Sequence, residues 1–92
     1  MENENIYSTR DLVLAVTLIT LKFELIKIDY QIEGENQRPV GYFNFENTNA
    51  LKETIRKHMN GDLSVEPKQF MSNVRELKAQ INNFYKNPNN KF

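Results

Sequence analysis

An α+β domain with the element order α-β-β-α-α is predicted by three features of the chain. The run from Leu12 to Leu21 is apolar nearly all the way round a helix. The stretch from Phe23 to Glu46 changes to a period of two on either side of a polar turn. Beyond residue 48 the apolar residues return at intervals of three and four, which is the helical period.

The first helix is marked at its start by Ser8-Thr9-Arg10-Asp11. This has the form of a capping box, in which the Ser hydroxyl accepts from the N3 amide while Asp11 reaches back, so the helix is expected over about 9–22. Leu12, Val13, Leu14, Ala15, Val16, Leu18, Ile19 and Leu21 leave only Thr17 and Thr20 to soften one side. A helix of this kind is buried on most faces, either between other elements or partly at an interface with a second copy.

A half-buried strand follows. Ile26, Ile28, Tyr30 and Ile32 share one face, and Lys27, Asp29 and Gln31 the other. Glu33-Gly34-Glu35-Asn36-Gln37-Arg38-Pro39 is a polar turn. Val40 to Glu46 then alternates with Tyr42 on one face and Phe43 and Phe45 on the other, completing a β-hairpin. A two-stranded hairpin leaves open edges, so helical cover or pairing with another chain is expected.

Asn47-Thr48-Asn49 offers N-caps for a second helix that ends at Asn60-Gly61, where glycine suits a left-handed stop. Leu51, Ile55, His58 and Met59 form its expected inner stripe, with Lys52, Glu53, Arg56 and Lys57 outside. Pro67 suits the first position of a third helix, which ends before Pro88. Its stripe is Phe70, Val74, Leu77, Ile81 and Phe84. The predicted core is therefore the hairpin, the buried first helix on one of its faces, and the two later helices.

Ninety-two residues support one domain over 1–92, ordered over about 6–87, with an acidic N-terminus and a polar C-terminal tail expected to be flexible. The chain has no cysteine, which excludes disulfides, thiolate metal sites and cysteine nucleophiles. It begins Met-Glu-Asn-Glu-Asn, unlike the basic start of a secretory signal, and Leu12–Leu21 is half a membrane span. The cytoplasm is the expected compartment, with no membrane partner.

The quoted runs together are more specific than any one alone. Ile6-Tyr7-Ser8-Thr9-Arg10-Asp11-Leu12, Phe23, Phe43-Asn44-Phe45-Glu46, Asn60-Gly61, Phe70, Val74-Arg75 and Leu77-Lys78 resemble a family of small domains of unknown function. That family is common in small-genome candidate-phylum bacteria and occurs in mobile elements; a phage or mobile-element origin is one implication. The resemblance spans about residues 6–85 and implies the α-β-β-α-α order, with no catalytic residues and no cofactor. Its pattern has a glycine just before the position of Phe23, where this chain has Lys22.

Chemistry is sparsely provided. His58 is the single histidine, and it has no cysteine, nucleophile or metal-ligand spacing around it, so a part-buried structural role and no metal are expected. Asp29, Glu33 and Glu35 fall on a solvent face and in a turn, where charge belongs in any case. The three glycines, at 34, 41 and 61, form no phosphate loop. No enzyme and no cofactor are expected.

Charge points further. Formal net charge is zero, but residues 1–49 hold four basic against eight acidic side chains, and residues 50–92 hold eight against four. On the third helix Lys68, Arg75 and Lys86 fall opposite the apolar stripe, with Lys78 beside them and the small Ser72 and Ala79 between. Such a face can follow a phosphate backbone of DNA or RNA, with Arg56 and Lys57 as a possible extension, or it can be the solvated side of a surface helix. The alternative function is protein interaction, as a homodimeric accessory or inhibitor protein. Its contacts would be the hairpin edge, Tyr42, and Leu14 and Leu18 of the first helix.

Overall fold

The computed structural model describes residues 5–36 and 38–86, and at 38, 39 and 84–86 the backbone alone. The tails expected at residues 1–5 and 88–92 lie outside the described residues, except for Asn5. The fold is α+β. Its elements are β1 (Ile6–Thr9), α1 (Leu12–Thr20), β2 (Leu25–Glu33), β3 (Arg38–Glu46), α2 (Asn49–Met59) and α3 (Pro67–Lys86).

The predicted order gains a strand at its start. β1 pairs antiparallel with β3, so the sheet runs β1-β3-β2 and the hairpin's β3 edge is closed. This corrects the cap as well. Ser8 and Thr9 lie opposite Asn44 and Phe43 in the ladder, which holds their backbone extended. Asp11 is the N-cap instead, its carboxylate accepting from the Leu14 N–H at 3.2 Å, while Thr9 Oγ1 accepts from the Asp11 N–H at 3.1 Å.

α1 also stops earlier than expected, and by a definite device. The Lys22 N–H donates to the Ile19 carbonyl at 2.9 Å and the Phe23 N–H to the Leu18 carbonyl at 3.0 Å, the two bonds of a Schellman motif. Lys22 occupies its left-handed position, with φ 77°. The helix thus ends where the resembled pattern has glycine, and the departure changes the residue while keeping the geometry. α2 closes in the same way: Gly61 takes φ 74°, its N–H donates to His58, and the Asp62 N–H donates to Lys57.

Register fixes the two faces of the sheet. Tyr7 and Thr9 of β1 share the inner face with Phe45 and Phe43, and Ile28, Tyr30 and Ile32 of β2 join them. A bulge between Leu25 and Lys27 shifts the alternation at the start of β2. Leu25 therefore faces inward opposite Phe45, whereas Ile26, expected on the inner face, is displaced and 48 % exposed. Gly41 lies beneath Ile28 and Tyr30, where a Cβ would meet Ile28 Cγ2 at 3.3 Å.

The core sits on that inner face. Leu14, Ala15, Val16 and Leu18 of α1 form one buried cluster with Phe43, Phe45, Leu51 and Leu77. α1 is the hub: α3 packs along it, α2 packs beside it, and the sheet closes its other side. Its two threonines are buried but satisfied, since Thr17 and Thr20 donate to the Val13 and Val16 carbonyls, each at 2.7 Å. Met59, expected in the inner stripe of α2, is 66 % exposed at the helix end; Leu51 and Ile55 carry that stripe. No described helix is long and apolar enough to cross a membrane.

Candidate nucleic-acid interface

α3 is held by its inner side. Glu66 stands in the N-cap place, its carboxylate accepting from the Gln69 N–H at 2.6 Å and its carbonyl from the Phe70 N–H at 2.9 Å. Leu77 is buried, and Phe70, Val74 and Ile81 pack around the core. A polar pin adds orientation: Asn73 Nδ2 donates to Thr20 Oγ1 at 3.0 Å, tying the middle of α3 to the end of α1.

Because that side is fixed, the opposite side faces outward. Lys68, Arg75 and Lys78 are exposed, and none of them has a carboxylate within ion-pair distance among the described residues. Pro67, Lys68, Met71 and Arg75 line a shallow groove of about 470 Å³ on this face. Met71, which the sequence reading left aside, is 47 % exposed there. The one-turn and two-turn spacings Lys68–Met71–Arg75 were a signal for it. The side chain of Lys86 lies outside the described residues.

The two candidates on α2 differ from these. Arg56 is paired with Glu53 one turn earlier, through Nε to Oε1 at 3.3 Å and through Nη2 to Oε2. That pairing lowers the pKa of Glu53 and raises that of Arg56. Lys57 is exposed and unpaired among the described residues. α2 and α3 each pack on α1 and make little direct contact with each other.

The residues expected at a protein interface divide. Leu14 and Leu18 are 1 % and 0 % exposed, buried in the core of the single chain, while Val13 on the same helix is 54 % exposed. Tyr42 lies on the outer face of the central strand β3 and not at an edge. Its hydroxyl donates to Glu33 Oε2 at 2.6 Å, and Arg10 Nη1 donates to Glu33 Oε1 at 3.0 Å, with Arg10 Cζ 5.9 Å from the Tyr42 ring centroid. The hydrogen bond to Glu33 raises the Tyr42 pKa, with burial and the charge of Glu33 adding to it and Arg10 opposing. Beside them Asn44 is buried on the same face, donating from Nδ2 to Asp29 Oδ2 at 3.0 Å and to the Tyr42 and Lys27 carbonyls.

His58 is half-buried near the end of α2. No cluster of three or more histidine, cysteine or carboxylate side chains with metal-binding geometry occurs among the described residues.

Neither the curated proteins nor the solved structures contain a match to the chain. A family model does: the domain of unknown function DUF5659 matches residues 4–87, nearly the whole chain, and the protein belongs to that family.

Proposed function

We propose that the protein is a small non-enzymatic binding module that engages the phosphate backbone of nucleic acid through the outward face of α3. The observation that carries this reading is the row Lys68, Arg75 and Lys78, exposed and unpaired among the described residues on a helix whose other side is anchored to α1. An unpaired surface cation gives up little on meeting a phosphate, whereas Arg56 would first have to leave Glu53. Ser72 and Ala79 keep the helix surface low between the cations, and the groove beside Met71 gives room for a sugar–phosphate strand to lie close. A net charge of zero fits an interaction that is local and salt-sensitive, since no long-range field gathers the ligand.

The test is fluorescence anisotropy with labelled duplex and single-stranded oligonucleotides over a series of salt concentrations. Three phosphate contacts predict a log–log slope of about −3 on duplex DNA, with little dependence on sequence. Absence of binding at about 50 mM salt and micromolar protein overturns the reading, because counterion release is then at its most favourable.

A further inference from the structure

We propose that the outer edge of β2 is a pairing surface for a second copy of this chain, joining two three-stranded sheets into one continuous sheet about a two-fold axis through Tyr30. The proposal goes beyond nucleic-acid binding and is independent of it. β2 is the terminal strand of the order β1-β3-β2, and among the described residues no element pairs with its outer edge. Edges are commonly blunted by lysine, proline or a bulge. In β2 the bulge and Lys27 sit at the start of the strand, and the stretch Ile28–Ile32 carries neither lysine nor proline.

One register makes the strand complementary to itself. With Tyr30 on the axis, Lys27 lies opposite Glu33 of the second copy, Asp29 opposite Gln31, and Ile28 opposite Ile32, each pair occurring twice. Lys27, Asp29, Gln31 and Glu33 occupy the outer face, and Ile28, Tyr30 and Ile32 the inner one, so both sets stay on their own side of the joined sheet. Ile32, 56 % exposed in the single chain, gains an apolar neighbour. Glu33 is already oriented by Arg10 and the Tyr42 hydroxyl, each holding one carboxylate oxygen, so the incoming Lys27, which in the single chain lies 3.6 Å from Asp29 Oδ1 on an exposed and therefore weak ion pair, meets a positioned anion.

The registers centred one or two residues toward the start of the strand, or one residue toward its end, are poorer. An axis at Asp29 sets that carboxylate against itself, and an axis at Gln31 sets Asp29 against Glu33; like charges directly opposite are destabilising. An axis between two residues turns one copy over, so the apolar face of one strand continues into the polar face of the other. An axis at Ile28 again opposes Lys27 and Asp29, but its ladder runs into the bulge at Leu25/Lys27.

The experiment has two parts. Sedimentation of the full-length wild-type chain over the micromolar to millimolar range is expected to shift from 10.9 kDa toward twice that mass, and Lys27→Glu to weaken association about tenfold by opposing two carboxylates. The register is read separately, using the absence of any native cysteine. Tyr30→Cys is expected to form an intermolecular disulfide on mild oxidation, because residues on the axis face their own copies at about 4.5–5.5 Å between Cα atoms. Asp29→Cys and Gln31→Cys would stand about 8 Å from their copies, beyond disulfide reach, and are expected to remain reduced. A wild-type mass that stays at 10.9 kDa overturns the pairing, and equal or absent cross-linking at the three positions overturns the register.

Discussion

α1 and α3 pack against each other, yet they distribute apolar residues in opposite ways. In α1, nine residues long, Leu14, Ala15, Val16, Thr17, Leu18 and Thr20 are all buried, because the sheet lies on one side and α2 and α3 on the other. In α3, twenty residues long, only Leu77 is fully buried among the described residues, and the charges collect on the far side. A helix covered from two sides must be apolar around most of its circumference, while one covered from a single side needs only a stripe. Chemistry open to a partner is therefore confined to the second kind of helix, and loss of volume should be felt most in the first.

The largest expected effect follows from that asymmetry. Leu18 is fully enclosed within the one buried cluster that joins sheet and helices, so Leu18→Ala should cost about 3–5 kcal/mol with little collapse to relieve the cavity. Total stabilities of about 5–15 kcal/mol mean that much of a domain this small could unfold. Urea unfolding followed by circular dichroism measures it. Leu77→Ala on α3 should cost about 2–4 kcal/mol, less than Leu18→Ala, since a helix backed by solvent can shift inward. The reverse order would break the comparison, showing that α3 is the better-packed helix.

The sequence made one side of this contrast plain and obscured parts of the other. The stripe Phe70–Val74–Leu77–Ile81 and the proline at 67 placed the start and inner face of α3 as observed, and the 100° spacing placed Lys68 and Arg75 outward. The hairpin was equally legible from its period of two. β1 was not, because four residues are too few to show a period and Ser8-Thr9 imitates a cap; the β-branched and aromatic run Ile6-Tyr7-Ser8-Thr9 was the available signal. Ile26 was misplaced because a bulge changes parity without changing composition. That α1 lies between two layers is a tertiary fact, so the sequence favoured burial for Leu14 and Leu18 while leaving dimerisation open. The Arg56–Glu53 pair was visible as an i,i+3 spacing, whereas the separation of α2 from α3 was not.

A smaller effect of opposite sign is expected where α1 ends. Lys22 holds a left-handed φ of 77°, which costs an L-residue with a Cβ about 1–2 kcal/mol, and glycine avoids that cost. Against this, glycine adds roughly 0.4–1 kcal/mol of unfolded-state entropy to be lost. Lys22→Gly should therefore raise stability by about 0.5–1 kcal/mol. Gly61→Ala provides the mirror experiment at the end of α2. Its site has open space but a φ of 74°, so the substitution should cost about 1 kcal/mol through backbone conformation alone. If Lys22→Gly is destabilising, the lysine side chain makes a contact that outweighs its backbone strain.

The smallest expected change in stability is also the one that matters most for the proposed function. Arg75 projects from the side of α3 away from Val74 and Leu77 and has no ion-pair partner among the described residues. Arg75→Glu should therefore alter stability by no more than about 0.5 kcal/mol, the range of a surface substitution that breaks no cap, core contact or network. Nucleic-acid binding should nevertheless weaken several-fold, and the salt slope should fall by about one unit as one phosphate contact is lost. Lys27→Glu, on the outer face of the sheet and off the basic face of α3, should leave that slope unchanged while weakening self-association. The two substitutions thus separate the two surfaces. If Arg75→Glu costs as much stability as Leu77→Ala, the outer face of α3 is part of the packing, and the division between the two helices is drawn in the wrong place. If it leaves both stability and binding untouched, the row of cations on α3 is solvated surface and any binding resides elsewhere on the molecule.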